Sequence, residues 1–87
     1  MNGDLTVNEG SNAILFCKAT GRPQPNIILT RELEFGRIKL LQQGPSIAFD
    51  FLNIRRTASG AYRCTADNGI TNESKVLKMN VTCKYIT

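Results

Sequence analysis

Gly60-Ala61-Tyr62-Arg63-Cys64-Thr65-Ala66-Asp67-Asn68-Gly69 is the stretch that decides the fold. Tyr62, Cys64 and Ala66 alternate with Arg63 and Thr65, so an extended chain here turns one side to a core and the other to water. Ser59-Gly60 in front and Asp67-Asn68-Gly69 behind are turn signals. The segment is a half-buried strand, and such a strand needs neighbours to cover its apolar side.

Working outward, the next run alternates in the same way: over residues 75–82, Leu77, Met79 and Val81 face inward against Lys78 and Asn80. Over residues 47–51 the inward set is Ile47, Phe49 and Phe51, separated by Ala48 and Asp50. Residues 12–19 place Ala13, Leu15, Cys17 and Ala19 on one face and leave Ile14 and Phe16 outward among polar neighbours. Residues 26–31 follow a Pro-rich turn and are too short for a helix, so they read as a strand with Ile27 and Leu29 inward. Residues 31–43 fit either a helical turn starting at Arg31-Glu32-Leu33-Glu34 or an edge strand through Ile38, Lys39, Leu40 and Leu41, and the register stays open. Short strands separated by Gly10, Gly21 to Pro25, Gly36 and Gly44-Pro45 indicate an all-β sandwich or barrel.

The 87-residue length suits one small domain, 1–87, with no room for a second core. A hydrophobic share of 41% with 21% charged residues is that of a globular chain, which sets disorder aside. The net charge is +4, but the cations are scattered, without the one-sided basic patch and stacking aromatics of a nucleic-acid binder. Histidine is absent, which removes the commonest general base and metal ligand. The acidic residues form no pair poised as acid and base, and no serine has a base beside it, so no catalytic site, metal or cofactor is expected. Met1-Asn2-Gly3-Asp4 is not a leader, and no run approaches the ~18 apolar residues of a membrane span. The chain therefore reads as an excised segment of a larger protein, with targeting and anchoring sequences elsewhere and no membrane insertion of its own.

Cys17-Lys18-Ala19-Thr20-Gly21-Arg22-Pro23-Gln24-Pro25 followed by an apolar strand resembles the B strand, BC turn and C strand of an immunoglobulin domain. Phe49, Phe51 and Ile54, then Gly60, Tyr62 and Cys64, then Ala66, Asp67 and Asn68, resemble the E strand, EF corner and F strand of I-set and C2-set domains. The resemblance covers nearly the whole chain and is closest to the second domain of IgLON, lachesin and Dpr-interacting neural adhesion proteins. It implies a two-sheet Greek-key sandwich in which Cys17 and Cys64 bridge opposite sheets and Tyr62 forms a tyrosine corner. Closing a loop of about 48 residues stabilises by about 4 kcal/mol in the chain-entropy model. Two residues depart from the family pattern. Leu29 stands where a tryptophan normally packs on the bridge, with Phe49 and Phe51 available to fill part of its volume. Ala58 stands where an aspartate normally caps the corner.

The resemblance implies an extracellular or cell-surface recognition or spacing module whose partner is a protein, such as another immunoglobulin-superfamily member. Its binding face is the outer side of strands C, F and G, presenting Ile28, Thr30, Arg63, Thr65 and Lys78. Asn72-Glu73-Ser74 and Asn80-Val81-Thr82 fit the N-glycosylation rule. Cys83 is an odd cysteine, suited to an intermolecular bond, to a partner in a missing segment, or to no role. Arg55-Arg56 with Arg63 suits a small heparan sulfate contact, although polyanion sites gather more charge and solvated surface cations are the plainer reading. Two rivals share the sandwich: an intracellular structural module of the muscle-filament kind, and an ectodomain module of a receptor kinase or phosphatase.

Overall fold

Alternating side chains sort the chain into strands wherever one face can be covered. In the computed structural model, which describes residues 4–82, the strands are β1 Leu5–Asn8, β2 Ala13–Lys18, β3 Asn26–Glu32, β4 Ile38–Gly44, β5 Ser46–Phe51, β6 Gly60–Asp67 and β7 Asn72–Thr82. Short 3₁₀ turns occupy Glu34–Gly36 and Arg56–Ala58. One sheet has the order β1-β7-β6-β3-β4 and the other pairs β2 with β5. β1 runs parallel to β7, and the remaining pairs are antiparallel. The chain changes sheet between β1 and β2, between β2 and β3, between β4 and β5 at Gly44-Pro45, and between β5 and β6, which gives the expected two-sheet Greek-key sandwich.

The inward faces meet as the alternation requires. Leu15, Cys17 and Ile47 from the smaller sheet pack against Ile27, Leu29, Tyr62, Cys64, Leu77, Met79 and Val81 from the larger one, and Ile54 closes the end. Each such side chain contributes about 1.5–3 kcal/mol by leaving water. Ile14 and Phe16 are more than half exposed, on the outward face where the alternation put them.

In two segments the structure decides what the sequence pattern left undetermined. Leu5–Asn8 forms a first strand although four residues in a turn-rich start show too little periodicity to mark one; it exists by pairing with the edge of β7, Leu5 opposite Met79 and Val7 opposite Val81. Between residues 31 and 43 the edge-strand alternative holds. Arg31 and Glu32 extend β3 instead of opening a helix, because Arg31 pairs with Tyr62 on β6 and Glu32 with Ile38 on β4. The register that the sequence left open shifts at a bulge between Leu29 and Thr30.

Candidate functional site

Cys17 on β2 and Cys64 on β6 are disulfide-bonded across the two sheets, with Cα atoms 6.5 Å apart and 47 positions apart in sequence. Both are buried. Leu29, in place of the usual tryptophan, is fully buried. The aromatic volume lies lower in the sandwich. Phe49 and Phe51 meet edge to face at 5.0 Å, and Phe51 meets Tyr62 in the same manner at 5.6 Å, the geometry that ring quadrupoles favour. Beside the bridge a cleft of about 300 Å³ opens to solvent, lined by Cys17, Ile27, Cys64 and Ala66 with Lys18 and Lys75 among its polar residues.

Tyr62 is buried, and its hydroxyl donates to the Ala58 carbonyl, closing the tyrosine corner over the Arg56–Ala58 turn. Burial pushes the phenol above its ordinary value of 10.0, and the Arg31 guanidinium opposes that shift. Arg31 itself was not singled out in the sequence. Its Nη2 donates to the Thr57 carbonyl and, at 3.0 Å, to the Ser59 carbonyl, and its guanidinium lies 5.4 Å from the centroid of the Tyr62 ring. Where the family uses an aspartate side chain at residue 58, this chain holds the corner from the opposite side, with a β3 cation grasping two backbone carbonyls. The signal was present. Arg31 continues the inward series Ile27, Leu29, and a cation in an inward position must find acceptors. Its Nε has no hydrogen-bond partner.

On the outer side of the larger sheet, Ile28 stands opposite Thr65 and Thr30 opposite Arg63. These residues form one cluster. Lys78 shares the face but lies further along β7, opposite Ala61, with its backbone N–H donating to Asp4. Arg63 is paired within the domain: Nη2 lies 2.8 Å from the Glu32 carboxylate, Nε donates to the same oxygen, and Nη1 donates to Ser74 at 3.2 Å. Thr30 Oγ1 donates to the Arg63 carbonyl at 3.4 Å. Ile38, Leu40 and Val76 belong to this face as well, through their pairing with Glu32, Thr30 and Arg63. The sequence missed Ile38 and Leu40 because the bulge in the β3–β4 ladder hid the period, whereas Val76, one place before inward Leu77, follows from the β7 alternation.

Asn72 and Asn80 are both exposed on β7, Asn72 opposite Asp67 and Asn80 beside Thr6 of β1. Arg56 is engaged with Glu9, whose Oε2 lies 3.5 Å from Nε and accepts the Arg56 backbone N–H at 3.3 Å. With Arg63 also neutralised by Glu32, the arginines weighed for a polyanion contact carry less free charge than the sequence suggested. Cys83 lies outside the described residues. Among the described residues no group of three or more His, Cys, Asp or Glu side chains is placed to hold a metal ion, and no helix is long and apolar enough to cross a membrane.

A disulfide-bridged, two-sheet Greek-key sandwich with a parallel first strand and a tyrosine corner defines an immunoglobulin-type domain. The comparisons agree with that class. A family model described as immunoglobulin domain matches residues 2–68, and the chain belongs to that family. Rat limbic system-associated membrane protein is 38% identical over 85 residues, 98% of this chain and 24% of its own length. Human IgLON family member 5 is 32% identical over the same span. The chain thus spans about a quarter of the length of these relatives. Among solved structures, Dpr2 Ig1-Ig2 in complex with DIP-Theta Ig1-Ig3 aligns with a TM-score of 0.73 at 33% identity, covering 92% of this chain and 29% of that one. A titin M10–obscurin-like 1 immunoglobulin complex superposes equally well, at 0.73 over 95% of this chain and 89% of that one, but at 19% identity it speaks for the fold alone. The chain is homologous to these IgLON-type proteins over nearly its whole length.

Proposed function

We propose that this chain is a non-catalytic extracellular module of an IgLON-type cell-surface adhesion protein, cut from a longer polypeptide, with 1–87 as one domain and the outer face around Ile28, Thr30, Arg63 and Thr65 as its recognition surface. The observation that carries this reading is the match to limbic system-associated membrane protein across 98% of the chain, in a domain whose two sheets are joined by Cys17–Cys64. A core disulfide in a small domain belongs to an oxidising compartment. Exposed sequon asparagines at 72 and 80 agree with secretion. The partner is a protein, and another immunoglobulin-superfamily member suits the likeness to the complex of Dpr2 with DIP-Theta.

One observation favours a second reading, in which the domain is a spacer: Arg63 is already satisfied by Glu32 and Ser74 inside the domain. Both readings are tested in the parent protein, displayed on otherwise non-adhesive cells and scored for aggregation. Replacing residues 1–87 by an unrelated immunoglobulin domain of the same length abolishes aggregation if the face recognises a partner. Unchanged aggregation supports the spacer. No aggregation by the parent itself contradicts the adhesion reading.

A further inference from the structure

Asn68-Gly69-Ile70-Thr71 joins β6 to β7, and side-chain oxygens shape much of that turn. The Asn68 backbone N–H donates to the Thr71 carbonyl at 3.2 Å. The Asn68 side-chain oxygen Oδ1 accepts the backbone N–H of Ile70 at 2.9 Å and that of Thr71 at 2.8 Å, and Thr71 Oγ1 donates to it at 3.4 Å. One residue earlier, Asp67 Oδ1 accepts the Gly69 N–H at 2.8 Å. Asparagine and aspartate often bend a chain in this way. Nested one inside the other, the two turns also bring together the parts of a reaction.

In an Asn-Gly pair the glycine nitrogen and the asparagine side-chain carbonyl carbon are close enough along the chain to form a five-membered ring. Ring closure needs the nitrogen to lose its proton and the carbonyl carbon to become electrophilic, and it speeds up when the reacting groups are held together. Here the Asp67 carboxylate already holds the Gly69 N–H, which is the position of a general base. Three donors converge on the Asn68 side-chain oxygen, the arrangement that stabilises an oxyanion. Beyond its own chain neighbours, no heavy atom lies within 4 Å of where a Gly69 Cβ would stand, and Gly69 and Ile70 are exposed, so the fold crowds neither the nitrogen nor incoming water.

We propose that Asn68 is a self-modifying residue, and that the folded turn drives its deamidation. Asp67 takes the Gly69 N–H proton and Gly69 N bonds to Asn68 Cγ, with the oxyanion resting against the Ile70 and Thr71 N–H groups. The Cγ–Nδ2 bond then breaks as that proton passes to the leaving nitrogen, so ammonia departs and a succinimide remains. Water adds to either succinimide carbonyl and leaves aspartate or isoaspartate at position 68. Nothing is oxidised or reduced, and water is the only co-reactant. The product carries a new carboxylate beside that of Asp67, and the isoaspartate route lengthens the main chain of the turn by one carbon. Asp67 pairs with Asn26 and Asn72, one row along the strands from Ile28 and Thr65, so the change alters charge and shape at that end of the outer sheet face.

The test follows Asn68 in the 87-residue protein and in a synthetic peptide of residues 65–74, incubated side by side in one buffer at neutral pH and body temperature. Peptide mapping reads the conversion of amide to acid and separates Asn68 from the chain's other Asn-Gly pair, Asn2-Gly3; an isoaspartyl methyltransferase assay on the isolated fragment reads the isoaspartate. The folded protein is expected to convert at least about tenfold faster than the peptide, the low end of what a positioned base and oxyanion donors contribute. Asp67→Asn keeps an acceptor for the Gly69 N–H but cannot take its proton, so it falls back to about the peptide rate with an unchanged melting temperature. A folded protein that converts no faster than the peptide overturns the proposal, as does an Asp67→Asn variant that converts like wild type. Where the variant melts lower than wild type, the comparison of folded protein with peptide decides alone.

Discussion

Replacing Arg31 by methionine removes the cation that holds the tyrosine corner while keeping an unbranched stem of similar reach. Its two hydrogen bonds, to the carbonyls of Thr57 and Ser59, are each worth about 1 kcal/mol for a half-buried donor. The contact with the Tyr62 ring adds about 0.5–1 kcal/mol. Against this, the substitution relieves the unpartnered Nε, a gain of about 1 kcal/mol. The net loss is about 2 kcal/mol, or a fall of about 8–16 °C in Tm for a domain of this size. Urea unfolding under non-reducing conditions reads the loss, followed by tyrosine fluorescence because the chain has no tryptophan. Arg31→Lys falls between, since it keeps the charge but not the forked donor. The phenol supplies an independent readout. Its folded pKa is raised by burial and held down in part by Arg31, so stability that is complete below the ordinary value of 10.0 is lost as pH climbs through the higher folded value. In Arg31→Met that transition moves higher still. A variant within about 0.5 kcal/mol of wild type, with an unmoved phenol titration, would refute the clamp.

Tyr62→Phe leaves the half-buried Ala58 carbonyl without its donor and should cost about 1 kcal/mol, measured by the same urea series; no loss would mean the corner is held by Arg31 alone. Removing the bridge with Cys17→Ala and Cys64→Ala together should destabilise by about 2–5 kcal/mol, and a thermal melt that does not move would show that the core needs no staple. Phe35→Asn should stabilise the domain by about 1 kcal/mol by relieving an aromatic held in the left-handed region at φ 62°; a lower Tm would show that the ring packs usefully within the domain. Gly60→Ala should destabilise by about 1–3 kcal/mol, because φ is +146°, a conformation that L side chains rarely adopt; equal stability in calorimetry would contradict this.

Most of the sandwich was readable from alternation, because each core strand keeps a strict period of two from its first inward residue to its last. Ile27 and Leu29, Leu15 and Cys17, Leu77, Met79 and Val81 are buried where that period put them. What alternation hides is what breaks it. The bulge beside Leu29 displaces β4 by one residue, so Ile38 and Leu40 were not assigned to a face. Leu5–Asn8 owes its strand to an edge supplied by residues more than seventy positions later, which no local pattern can announce. Arg31 was taken for a strand boundary, since a cation in an inward position makes sense only once the carbonyls of Thr57 and Ser59 are seen around it. The aspartate missing at Ala58 was visible; its replacement by a residue on another strand was not. Phe35 was silent as well, because Phe-Gly does not carry the Asn-Gly signature of the turn it forms.

The central claim is that this sandwich works outside the cell as a disulfide-stapled adhesion module. Peptide mapping of the parent protein from its own tissue, run with and without reduction, tests it most directly. A Cys17–Cys64 cross-linked peptide, with glycan on Asn72 or Asn80, is the predicted result. Free thiols at both cysteines and unmodified asparagines would contradict the claim and favour an intracellular structural module.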